Sequence, residues 1–119
     1  MTERKKGTTA LVLTVGSTTH RLECTRAALR AVTERFGGLL PVQESFRMLD
    51  YFGLAALVAA GSDQPVDIEE LAEAMWLDGS ADMVQVPLQF WRRMCNGGRD
   101  PAPAEAADLE QAEEGTGNG

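Results

Sequence analysis

This chain of 119 residues offers few side chains that could do chemistry. It has a single histidine, His20, and two cysteines, Cys24 and Cys95. A catalytic imidazole needs a nucleophile or a carboxylate fixed beside it. His20 instead stands in an alternating run of Thr, Val and Leu, so it reads as a core-side or edge residue before it reads as a base. The cysteines are 71 positions apart and form no CxxC motif. They read as two reduced, apolar side chains and not as a disulfide scaffold. One His and two distant Cys do not supply the converging donors that a metal requires. Gly37-Gly38 and Gly97-Gly98 sit at element boundaries and do not make phosphate-binding loops. No catalytic, cofactor-binding or metal-binding residue is therefore assigned, and no cofactor is expected.

Contact chemistry is better represented. Trp76, Phe90 and Trp91 can fill a core or anchor a partner, and a domain of this size cannot bury all three rings. Exposed Trp marks partner sites. Glu69, Glu70 and Glu73 form an acidic helix face, which is either simply solvated or part of an interface. These six residues are the candidate partner-binding set. Met48, Met75, Met83 and Met94 lie at helical core spacing, with a pliable Met-lined groove as the sharper alternative.

Charge narrows the partner class. The net charge is −7. Residues 1–62 hold eight Lys/Arg and five Asp/Glu, a net +3, while residues 63–119 hold three and thirteen, a net −10. A general nucleic-acid binder needs a basic stripe to displace counterions from phosphates, and anionic membranes are disfavoured for the same reason. The two helices expected over residues 67–95 could pass for a DNA-reading pair. However, the stretch from Met48 to Trp91 carries acids and no Lys or Arg. No run of about 18 apolar residues is present. Leu11 to Val15 is too short for a signal-peptide core. The expectation is an intracellular chain without a membrane segment.

The elements that must position these residues follow from periodicity. Residues 1–7 are polar and expected to be flexible. Thr8 to Cys24 alternates around Gly16-Ser17, which predicts a β-hairpin with a type II′ turn. That register opposes Val15 to Thr18, Leu13 to His20 and Leu11 to Leu22, and places Leu11, Leu13, Val15, His20 and Leu22 on one apolar face. A two-stranded ribbon needs a cover. The expected cover is a helix capped by Thr25 and running to Phe36. Its stripe is Ala28, Leu29, Val32 and Phe36, with Phe36 as the hairpin–helix anchor, and it ends at Gly37.

Leu39 to Gly61 is apolar and helical, opened by Pro41. Gly53 suggests either a break or a close helix approach, and a break near Asp50 is favoured. Its expected inward stripe is Phe46, Leu49, Gly53, Leu57 and Ala60, widened by Tyr51, Phe52, Leu54 and Val58. Asp67 caps Ile68 to Leu77, with Glu70 completing a capping box, and Ile68, Leu71, Ala72 and Met75 face inward. Ser80 is expected to cap Ala81 to Cys95. That segment carries Met83, Val84, Leu88, Trp91 and Met94 or Cys95 on one side, and Pro87 kinks or divides it. Residues 97–119 are rich in acids and nearly devoid of large apolar residues, so they read as a disordered acidic tail. Deleting them should leave the melting midpoint nearly unchanged. The fold expected is α+β: a hairpin packed on a small bundle of four or five short helices, with a single domain over residues 8–96.

The order of elements resembles the tail assembly chaperones of long-tailed phages and gene transfer agents. The hairpin Leu11-Val-Leu-Thr-Val-Gly-Ser-Thr-Thr-His-Arg-Leu22 runs directly into the Thr25–Phe36 helix. Short helices follow, then the helix start Val66-Asp-Ile-Glu-Glu-Leu-Ala, a final helix and a polar tail. The resemblance covers residues 9–95 and rests on pattern, not on an invariant motif. It implies a non-enzymatic role in the host cytoplasm, binding tail-tube or tape-measure protein until assembly. The alternatives are a small adaptor or structural component of a particle, such as a head–tail connector piece, and a regulator binding DNA or a protein target. The open edges of the ribbon suit strand addition.

Overall fold

The structure is a computed structural model and describes residues 10–100. The expected flexible N-terminus and the tail from residue 101 onward lie outside the described residues. Among the described residues an antiparallel hairpin is followed by five helices, an α+β fold. Strand β1 is Leu11–Val15 and β2 is Thr18–Leu22, paired in the expected register with Leu13 opposite His20. Gly16 takes φ +62°, as the first turn position of a II′ hairpin requires. Leu11, Leu13, Val15, His20 and Leu22 are all buried, so the alternating pattern has turned one face inward.

The two edges of this ribbon differ. The outer edge of β2 is sealed by the segment after the third helix. Glu23 N–H donates to the Gly61 carbonyl at 2.9 Å and Asp63 N–H to that of Arg21 at 3.1 Å. The Gln64 side-chain amide reaches the Thr19 carbonyl at 2.7 Å. These bonds tie the hairpin to a chain segment some forty residues away.

Helix α1 (Arg26–Phe36) is capped by the Thr25 hydroxyl, which accepts from Ala28 N–H at 3.0 Å, and Gly37 closes it at φ +87°. Ala28 and Val32 are buried, but Leu29 is 43% exposed and Phe36 only half-buried. The reason is the partner. Helix α1 packs mainly on the third helix, so the contact is centred on Ala28 and Val32. The expectation that α1 covers the ribbon, with Phe36 as anchor, is corrected.

Helix α2 (Val42–Met48) ends at Leu49, a non-glycine residue at φ +54°. Helix α3 (Tyr51–Gly61) begins after Asp50, so the break falls where it was expected. Gly53 also has a packing reason. A Cβ there would overlap the side chain of buried Ser45 on α2. Helix α3 carries no charged residue and is buried on nearly every side, from Leu54 through Val58. A helix apolar all round belongs at the centre. It meets α1, α2, β2, helix α4 (Ile68–Asp78) and helix α5 (Asp82–Cys95).

Helices α4 and α5 pack against β1, and together with α3 they cover the hairpin. The α4 start is capped by Asp67, whose carboxylate accepts from Glu70 N–H at 3.1 Å, a contact of about 1 kcal/mol. Helix α5 differs from expectation in its cap and in its buried stripe. Ser80 lies before its N-cap, Ala81, and offers no side-chain cap. Pro87 neither ends nor divides the helix, which runs on through Cys95 with Met83, Pro87 and Phe90 fully buried around the proline. The buried stripe is Met83, Pro87, Phe90, Arg93 and Met94, rotated from one through Leu88 and Trp91.

The rotation follows from Gly61. Its missing side chain lets the Phe90 ring sit against the α3 backbone, where a Cβ would lie 2.7 Å from the Phe90 Cε1. Beyond α5, the segment from Asn96 to Asp100 folds back. Gly98 N–H donates to the Arg93 carbonyl at 2.7 Å. Asp100 accepts from the Arg93 guanidinium at 2.7 and 3.0 Å.

Candidate functional site

The break between α2 and α3 opens a groove against α4. Its walls are Leu49, Asp50, Tyr51 and Phe52 on one side and Glu69, Glu70, Ala72, Glu73 and Trp76 on the other, around about 780 Å³. On α4, Glu69, Ala72, Glu73 and Trp76 are spaced i, i+3, i+4 and i+7, one continuous stripe. Leu71, Ala72 and Met75 are buried against the core. The helix thus fixes one edge and turns the next toward the groove. Trp76 is 63% exposed, Phe52 55% and Leu49 51%. Large apolar rings left in water on two facing elements are unusual for a small domain and mark a contact surface.

The electrostatics of the groove have one sign. Asp50, Glu69, Glu70 and Glu73 stand on its rim. The ion pairs among the described residues are Arg47 with Glu44 and Arg93 with Asp100, and neither reaches it. The first turn of α3 and that of α4 both face this region, and their N-terminal dipoles tolerate the acids. Chemically, the groove presents apolar surface and carboxylates, an arrangement suited to adhesion.

The structure divides the six candidate residues. Trp76, Glu69, Glu70 and Glu73 come together in the groove. Phe90 does not join them; it is fully buried against Gly61 and belongs to the core. Trp91 is half-buried elsewhere. Its indole N–H donates to the Leu39 carbonyl at 2.8 Å and its ring lies 5.9 Å from that of Phe46. Trp91 therefore ties α5 to the α1–α2 connection. Sequence reasoning missed Leu49, Asp50, Tyr51 and Phe52 as groove residues. The signal was the break at Asp50, which frees the side chains around it from a single helical stripe. Of the four methionines at helical spacing, Met48 is 62% exposed near this break, whereas Met75, Met83 and Met94 are core.

The other chemical candidates lie apart. His20 is 5% exposed, and its Nδ1 is 3.1 Å from the Ser62 hydroxyl. Burial lowers its pKa, and the Asp63 carboxylate opposes that in part. Cys24 and Cys95 are free thiols. Burial raises both pKa values, at Cys24 against the pull of Arg93, so neither is held as a thiolate. Among the described residues, no group of three or more His, Cys, Asp or Glu is placed to hold a metal ion. No helix among them is long and apolar enough to cross a membrane. No family model, curated protein or solved structure matches the chain.

Proposed function

We propose that the chain is a non-enzymatic tail assembly chaperone. In this reading it binds tail-tube or tape-measure protein of a phage or gene transfer agent in the host cytoplasm and keeps it soluble until assembly. The observation that carries the reading is the groove between α3 and α4, where Trp76, Phe52 and Leu49 leave apolar surface in water. A holding protein needs such surface on a stable frame, with charge around it to remain dispersed. The order of hairpin, capped helix and short helices supports the same reading through its resemblance to that family.

The test is co-expression with the tail-tube and tape-measure proteins of the same gene cluster. Co-purification and suppressed aggregation of one of them are expected. No complex at micromolar concentrations overturns the proposal. Stoichiometric retention of the chain in mature particles also overturns it, in favour of a connector component.

A further inference from the structure

The groove has a preferred occupant as well as a shape. We infer that it holds a cationic amphipathic helix of a partner protein, with a large apolar side chain lodged between Phe52 and Trp76. This rests on the groove being the partner site proposed above. Both walls are helical, so their backbone N–H and C=O groups are already paired along α3 and α4. An extended segment would find no ladder to join and would bring its own backbone groups unpaired. A helix satisfies its backbone internally and needs only side-chain anchors, which the groove supplies.

The rim decides the sign. Asp50, Glu69, Glu70 and Glu73 surround the apolar walls, and no Lys or Arg lies between Met48 and Trp91 to neutralise them. An acidic helix would place like charges together, while a basic one makes four complementary contacts at once. The same sign argues against a second copy. A two-fold interface would set this acidic rim against itself. The basic segment Arg4-Lys5-Lys6 of the chain itself has matching charge, but Met1 is the one large apolar side chain of residues 1–9, so the segment has no apolar face to lay along the groove.

The experiment titrates the full chain with a synthetic amphipathic helical peptide of about 16 residues, Leu and Phe on one face and Lys and Arg on the other. Tryptophan emission is the readout. A blue shift that Trp76→Ala removes is expected, with micromolar affinity that weakens as salt rises. The triple variant Glu69→Gln, Glu70→Gln, Glu73→Gln should bind roughly tenfold more weakly. All these positions are exposed, and the melting midpoint of each variant verifies its fold.

Equal binding by the triple variant, or by a peptide with Glu in place of Lys and Arg, overturns the inference. So does a dimer that Trp76→Ala dissolves, which assigns the groove to a second copy. A Trp76 emission change on deleting residues 2–9, without peptide, assigns it to the chain's own basic segment and overturns it too. Capture of a tail protein that the triple variant retains in full defeats the inference and spares the chaperone reading. Binding of the cationic peptide without capture of any tail protein does the reverse.

Discussion

At the scale of single residues, two positions make different demands. Gly61 is buried where the Phe90 ring crosses α3, so Gly61→Ala must push that ring or the helix aside. Overpacking of this kind costs about 1–3 kcal/mol, and urea denaturation of the variant should show a loss in that range. His20 was legible as a core-side residue because its alternation partners are Leu and Val. Its bond to Ser62 was not legible, since that contact joins positions 42 apart.

Burial holds the His20 imidazole below the ordinary value of 6.5. On acidification the unfolded chain therefore takes up this proton first. Stability is full above that value and declines as pH falls from it through the lower folded value. His20→Gln, which retains a side-chain amide near Ser62, should flatten this part of the pH–stability curve. Asp100 acts in a separate, more acid window. The Arg93 guanidinium keeps its carboxyl below the usual 3.8, so its contribution is full above 3.8 and is lost as pH falls from there through the lower folded value.

At the scale of elements, the strands and the capped starts of α1 and α4 were readable, the start of α5 and the packing partners less so. Hairpin register, the Thr25 and Asp67 caps and the break before Tyr51 are local, and local pattern found them. The cover of the hairpin is not local. Helix α1 follows the ribbon in sequence yet packs on α3, because α3 is apolar all round and draws every neighbour to itself. Leu29 and Phe52 were counted as inward for the same reason: a stripe identifies a face, not the area its partner covers. Phe90 and Trp91 were both partner candidates, and both pack instead: the missing side chain at Gly61 seats Phe90 in the core, and Trp91 ties α5 to Leu39 and Phe46.

The C-terminal boundary now falls later than the composition suggested. Arg93 is 4% exposed and bonded twice to Asp100. Cutting after Asn96 leaves that guanidinium buried without its carboxylate, a loss of roughly 1–3 kcal/mol. Truncation after Asp100 should leave the melting midpoint unchanged, and truncation after Asn96 should lower it by several degrees. Equal midpoints would show that the pair contributes nothing.

For the whole molecule, the packed core and the proposed partner groove lie in different places. The core runs from the hairpin face through α3 to Phe90, while the groove lies between the N-terminal end of α3 and the stripe of α4 from Glu69 to Trp76. Trp76→Ala should therefore change folding stability by no more than about 0.5 kcal/mol and still weaken a captured partner by tenfold or more, as a hot-spot ring does. Trp91→Ala should do the converse, because that indole is tied to Leu39 and packed near Phe46. Parallel melting and binding measurements on the two variants test the separation.

The position of α3 in the chain has a consequence during synthesis. This uncharged helix is translated before α4 and α5, which supply much of its cover, and Phe90 reaches Gly61 only when the last helix is made. Until then the nascent chain exposes an apolar helix with no charged residue to keep it apart from others, the condition under which partly made chains associate. On the proposed chaperone reading, a chain that keeps others soluble has its own most vulnerable moment on the ribosome. Ribosome-bound chains stalled before Phe90 should accordingly engage general chaperones more strongly than chains stalled after Asp100.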